Sequence, residues 1–128
     1  MTLTPQFREL LRGPNFAVIT TINADGTPQQ SVVWIAERDG TIVFSTVEGR
    51  AKHRNLARDP RIGVLVLDQA DGYRYSQIRG IARQDSTNAD ALIDELSRKY
   101  TGKEWVEKQT RPRVNVIVTP THQHDYSE

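Results

Sequence analysis

The sequence contains no cysteine. Disulfides, thiolate nucleophiles, zinc–thiolate sites and iron–sulfur clusters are therefore excluded. It also lacks any apolar run near the roughly 20 residues that a membrane-spanning helix needs. Its first residues, Met1 to Gln6, carry neither the cationic start nor the apolar stretch of a secretory leader, so a cytoplasmic location is the expectation. An excess of one charge sign is missing too: 17 Lys and Arg stand against 16 Asp and Glu, for a net +1. No global field draws in nucleic acid or an anionic membrane, and any electrostatic function must be local. There is no Gly-x-Ser-x-Gly, no Gly-x-Gly-x-x-Gly and no P-loop. No nucleophile and base stand together, so no residue is singled out as catalytic. His122 and His124 would point the same way on a strand, but no third ligand lies nearby and no metal site is expected.

What is present fits one domain over residues 1–128: 37% hydrophobic and 26% charged residues describe a globular chain. Thr4-Pro5 is a helix start, Phe7, Leu10 and Leu11 follow at helical spacing, and Gly13-Pro14 stops the helix. β-rich segments occupy 15–23, 29–36, 41–46, 61–67 and 73–84, and an alternating strand at 113–119 ends at Pro120. Asp25-Gly26, Asp39-Gly40 and Asp71-Gly72 are hairpin signals between them. Gly80 inside its strand marks a bulge or a barrel corner. Helices are predicted at 50–57, closing before Asp59-Pro60, and at 87–100, where Leu92, Leu96 and Tyr100 share a face. A polar loop with Trp105 covers 101–112. Strands joined by short hairpins, without βαβ alternation, argue for an antiparallel sheet curled into a small barrel.

The most informative segment is 44–61. An apolar strand ends in two hydroxyls, Ser45 and Thr46; Gly49 permits a tight turn; a helix then starts with Arg50 and Lys52 in its first turn. The free N–H groups and positive end of a helix attract anions, and the two cations add charge-assisted hydrogen bonds, so the arrangement suits a phosphate. Five cations (Arg50, Lys52, Arg54, Arg58, Arg61) face one acid, Asp59, within twelve residues. Most charge runs are solvated helix faces. A divided role is the reading here: Arg50 and Lys52 on phosphate, Arg54 and Arg58 toward solvent or carboxylates. Trp34 reads as core and His53 as exposed.

These residues carry a resemblance. The Asp25-Gly26-Thr27-Pro28 hairpin, the Phe44-Ser45-Thr46 strand end, Arg50-Ala51-Lys52, Arg54-Asn55-Leu56, Arg58-Asp59-Pro60-Arg61 and Gly72-Tyr73-Arg74-Tyr75 resemble the split β-barrel flavin and deazaflavin oxidoreductases. This class is called pyridoxamine 5′-phosphate oxidase-like, and the similarity is greatest to its actinobacterial branch that uses coenzyme F420. The resemblance implies a mainly β, α+β fold: a six- to seven-stranded antiparallel split β-barrel of the FMN-binding type with peripheral helices. It implies a homodimer with the cofactor in a groove at the interface. Carried over by position, Ser45 and Thr46 would meet the phosphate or ribityl chain, and Arg50 and Lys52, with the Ala51 backbone between them, would hold the phosphate. Ser31, Val32 and Val33 would pass beside the ring, and Tyr73 and Tyr75 would reach the cofactor from the second subunit. Val32 and Asp125-Tyr126 depart from the polar or small residue and the Gly-Trp pair common in relatives, which leaves the ring identity open.

The function so implied is F420-dependent hydride transfer to a small conjugated organic acceptor. Three alternatives stand beside it: an FMN oxidase or reductase on the same fold, a non-catalytic flavin, deazaflavin or heme carrier, and a structural dimeric barrel.

Overall fold

A computed structural model describes residues 1–107 and 110–128. The element order is α1 (Pro5–Arg12), β1 (Ala17–Ile22), β2 (Pro28–Val33), β3 (Ala36–Arg38), β4 (Thr41–Val47), α2 (Ala51–Arg58), β5 (Arg61–Asp68), β6 (Asp71–Asp85), α3 (Ala89–Thr101) and β7 (Arg113–Tyr126). The strands form one sheet in the order β2-β1-β5-β6-β7-β4-β3, antiparallel throughout. Ile19, Phe44, Val64, Ile78 and Val116, from five different strands, meet in one buried cluster with Phe7, Leu10 and Leu11 of α1. A sheet whose strands share an interior has curled on itself, and this is the split barrel. None of the helices described is long and apolar enough to cross a membrane. Part of the loop expected at 101–112 (residues 108 and 109) lies outside the described residues.

Local chemistry accounts for most of the boundaries. Thr4 Oγ1 accepts the Phe7 N–H at 3.2 Å and Pro5 supplies the first helical φ. Asp39 (φ 52°) and Gly40 (φ 80°) form a two-residue turn whose handedness matches the twist of β3 and β4. The hairpin assigned to Asp71-Gly72 turns slightly earlier, at Gln69-Ala70. There the Asp68 carboxylate accepts the Ala70 N–H at 2.8 Å, and Asp71 already belongs to β6.

Two strands differ from expectation. The strand predicted at 29–36 breaks after Val33, and β3 starts only at Ala36. The strand predicted to stop at Pro120 continues to Tyr126. Proline removes a ladder donor, so it is tolerated where the ladder is already irregular. Pro120 lies opposite Gly80, where the β6–β7 register shifts, and β4 stops flanking β7 at Val118. A Cβ on Gly80 would lie 2.5 Å from the Thr119 carbonyl oxygen, so glycine permits this close approach. Beyond the bulge, β6 and β7 run on as a paired ribbon that β5 flanks on the β6 side as far as Tyr75. Gln6 Nε2 ties the ribbon to α1 by donating to Tyr75 O at 3.0 Å and Tyr126 O at 3.1 Å.

Candidate functional site

Strand alternation sorts the two hydroxyls at the end of β4. Ser45 faces outward, while Thr46 is fully buried and its Oγ1 has no hydrogen-bond partner among the described residues. The chain then turns through Gly49 at φ 91°, a left-handed conformation with the Arg111 guanidinium packed where a side chain would be. Arg50 occupies the N-cap of α2 in an extended conformation without a side-chain cap, and no acid stands in the first turn. The first intrahelical bond is Arg54 N to Arg50 O. The N–H groups of Ala51, Lys52 and His53 thus remain open, the usual state of a helix start that awaits an anion.

A polar network fastens this helix to the β1–β2 hairpin. Buried Asn55 donates to Thr21 Oγ1 and Asn23 Oδ1, each at 3.0 Å, and accepts from Arg58 Nη2 at 2.9 Å. Arg58 also donates to Ile22 O at 2.9 Å, Arg54 donates to Gly49 O, and Arg61 pairs with Asp59 at 2.7 Å. His53 Nδ1 accepts the Gly49 N–H at 3.0 Å, so that nitrogen carries no proton and the imidazole holds the turn. Three of the five cations are therefore engaged in holding the chain. The side chains of Arg50 and Lys52 make no hydrogen bond or ion pair with any described residue.

A third cation joins them from the far end of the chain. Pairing of β7 with β4 sets Arg113 opposite Val47. Arg113 Nη1 donates to Ser45 Oγ at 3.3 Å, and its guanidinium lies 4.8 Å from the Trp105 ring centroid. Burial, then repulsion from Arg50, pushes the Lys52 ammonium below its ordinary range. The same two causes act in the same order on Arg113, with Glu107 and Asp90 opposing. Arg50 thus disfavours the charge of both Lys52 and Arg113, and Glu107 is the only carboxylate among the described lining residues, so the place suits an anion.

The cations line a cleft of about 310 Å³ together with the apolar and aromatic side chains of Phe16, Val32, Val33, Trp34, Ile93, Leu96 and Trp105. Trp105, beside Arg113, joins the two kinds of lining. Of the residues singled out from sequence, the fold brings Val32, Val33, Ser45, Arg50 and Lys52 into this cleft, with Ala51 in the same helical turn. Ser31 lies on the other face of β2 from exposed Val32, and its Oγ is buried without a described partner. Tyr73 and Tyr75 do not line the cleft of their own chain: Tyr73 is 66% exposed, and Tyr75 stacks on Tyr126 at 5.2 Å in the β6–β7 ribbon. Arg113, Trp105 and Phe16 were missed as site residues. Their one sequence signal is a cation pair, Arg111 and Arg113, close after a lone tryptophan; strand pairing, which motif spacing does not report, puts them here.

The sequence profile of the pyridoxamine 5′-phosphate oxidase family matches residues 3–124, and the chain belongs to that family. Its fold is similar to that of a solved F420 reductase, at 26% identity and a TM-score of 0.84, covering 95% of this chain and 98% of that one. The conserved hypothetical protein Rv2991 of Mycobacterium tuberculosis is similar at 21% identity and a TM-score of 0.81, over 99% and 86% of the two chains. A putative pyridoxamine 5′-phosphate oxidase of Listeria innocua follows at 16% identity and a TM-score of 0.72, over 93% of each. No curated protein matches the sequence.

Proposed function

We propose that the protein is a homodimeric oxidoreductase that binds coenzyme F420 and passes a hydride between it and a small conjugated organic acceptor. The observation that carries the reading is one cleft lined both by three cations and by aromatic and apolar side chains. A phosphorylated planar cofactor has this distribution of charge and ring. The donor set fits its phosphate: Arg50, Lys52 and Arg113, the Ser45 hydroxyl and the open N–H groups of α2. Val32, Val33 and Trp34 would flank the ring. When bound, a deazaflavin supplies two electrons and a proton together as hydride; the protein's part is to orient the ring, exclude water and offer positive charge to the anionic reduced form. The similarity to an F420 reductase favours the deazaflavin.

The homodimer rests on the surface around the cleft. Val32 is 64% exposed, and Val18 beside it on β1 and Leu65 on β5 continue the same outer row of the sheet. Phe16, at 48%, adds apolar surface at the mouth. A second copy laid over this face would cover those side chains and bring its own Tyr73 and Tyr75 toward the ring. FMN is the second reading: three converging cations suit a dianionic phosphomonoester better than a singly charged phosphodiester. Parallel fluorescence titrations with F420 and FMN decide between the two. Saturable quenching of F420 at micromolar concentration, with weaker FMN binding, supports the proposal; the reverse order assigns the cleft to FMN. Binding of either without turnover of any conjugated acceptor leaves a carrier.

A further inference from the structure

The break between β2 and β3 is an unusual place in the barrel, because one of the two residues in the gap, Ile35, is fully buried. A buried peptide outside the strand ladder must find other partners for its N–H and C=O. Two consecutive residues near the end of α3 supply both. The Ile35 N–H donates to Tyr100 Oη at 3.1 Å, and Lys99 Nζ donates to Ile35 O at 2.6 Å. Tyr100 then reaches the segment that joins α1 to β1, and Lys99 reaches the last turn of α1. The Tyr100 hydroxyl donates to Asn15 O at 2.6 Å, and the Lys99 ammonium donates to Leu11 O.

The ring of Tyr100 repeats the connection that its hydroxyl makes. One side chain against it is Phe16, with centroids 5.7 Å apart; another is Trp34, stacked at 5.5 Å and 14°. Phe16 follows Asn15, and Trp34 precedes Ile35. One phenol thus bonds to the backbone of two segments and packs against the aromatic side chain that each presents to the cleft. Neither Tyr100 nor Lys99 is among the residues that line it.

We propose that Tyr100, braced by Lys99, is a positioning residue: by taking the place of the strand ladder at Ile35 it sets the spacing of Phe16 and Trp34, and so the seat for the cofactor ring. The idea rests on the ring-binding reading of the cleft, but its geometry is separable from the anion clamp. The described contacts of Arg113 are to Ser45 and Trp105, whereas Tyr100 packs on Phe16 and Trp34, so a fault at the ring seat leaves phosphate affinity intact.

The test uses Tyr100→Phe and Tyr100→Leu in the full chain, with pyrophosphate as a probe of the clamp alone and F420 and FMN as probes of clamp plus seat. Tyr100→Phe keeps both aromatic contacts and loses the hydroxyl; Tyr100→Leu loses both. Expected are pyrophosphate affinities within about twofold of wild type, with ring-cofactor affinity down about threefold in Tyr100→Phe and at least about tenfold in Tyr100→Leu. Equal losses for pyrophosphate and cofactor would reduce Tyr100 to a structural residue, and unchanged cofactor affinity in both variants would overturn the proposal. Should Tyr100→Leu fail to fold, Tyr100→Phe decides. A second readout needs no cofactor. In a Trp105→Phe background Trp34 is the sole tryptophan, and removal of the Tyr100 hydroxyl should raise its acrylamide quenching. If wild type binds neither F420 nor FMN, the functional reading fails and this quenching alone judges the positioning role, an unchanged value sinking it.

Discussion

Arg50 and Arg54 are one turn apart on the same short helix, yet their surroundings are opposite. Arg54 bonds back to the Gly49 carbonyl, and Arg58, a turn further on, reaches Ile22 O and Asn55. Arg50, with Lys52, stands free of described partners beside Arg113 at the mouth of the cleft. The first pair is held by internal acceptors that also position α2; the second is left with repulsion that only an anion relieves. A charge count treats all of these as one basic patch, whereas their hydrogen bonds separate cations that build the site from cations that serve it.

Removal of the serving pair should have the largest effect. The double change Arg50→Ala and Lys52→Ala is expected to weaken phosphate-bearing cofactor at least about 100-fold, from two charge-assisted contacts, with the melting temperature unchanged. Fluorescence titration and a thermal scan check this, and unchanged affinity would falsify the clamp. The building side is probed by Asn55→Ala, which takes a donor from buried Thr21 and half-buried Asn23 and an acceptor from Arg58. A stability loss of about 2 kcal/mol is expected in urea unfolding. A loss under about half of that would mean that the network does not hold α2. Next in size is Arg113→Met. It should weaken cofactor about tenfold with little change in stability, since the guanidinium is pushed away by Arg50 rather than bound by an acid. An effect as small as that of Arg61→Ala would remove Arg113 from the serving group.

A smaller effect depends on pH. Burial lowers Lys99 from its ordinary 10.5 to about 8, with Glu95 opposing. Between these values the unfolded chain binds more protons than the folded one, so stability rises with pH through that window and is lower below it. The urea midpoint should rise between about pH 7.5 and pH 9.5 by more in wild type than in Lys99→Met, where depressed Lys52 still contributes. Because Lys99 is only half-buried, solvent screening holds the gain below about 1 kcal/mol. The upper pH stays below the Tyr100 titration, which burial pushes up. The smallest effect is assigned to Arg61→Ala. Its exposed pair with Asp59 is screened by solvent and should leave the urea midpoint nearly unchanged, with cofactor affinity unchanged. A clear loss of affinity would return Arg61 to the site.

How much of this was legible from the chain varies along it. The Asp39-Gly40 turn, the α2 start and the Gly80 irregularity are local events, written in residues with restricted or permissive backbones. The division of Arg50 and Lys52 from the other cations was legible as a pattern, though not its cause, because Ile22 and Thr21 are distant in sequence from Arg58 and Asn55. Pro120 reads as a stop unless its partner across the sheet is known to be a glycine. The split after Val33 was illegible for a related reason: Ile35 is a good strand residue, and what removes it from the ladder is a lysine and a tyrosine about 65 positions away.

By itself the sequence determined the repertoire: a cation-bearing strand-to-helix junction, a hairpin-rich barrel, no thiol chemistry and no membrane-length apolar run. Those follow from short-range physics — allowed φ values, helix dipoles, strand alternation and the presence or absence of a reactive group. Only the tertiary structure decided that the junction opens on a cleft rather than on solvent, and that its third cation is Arg113. It also decided that the cleft has aromatic lining, because Phe16, Trp34 and Trp105 meet only when α3, β2 and β7 close around them. Each residue carries its charge, size and torsional limits wherever it lies, but proximity between distant residues exists only once the sheet has curled.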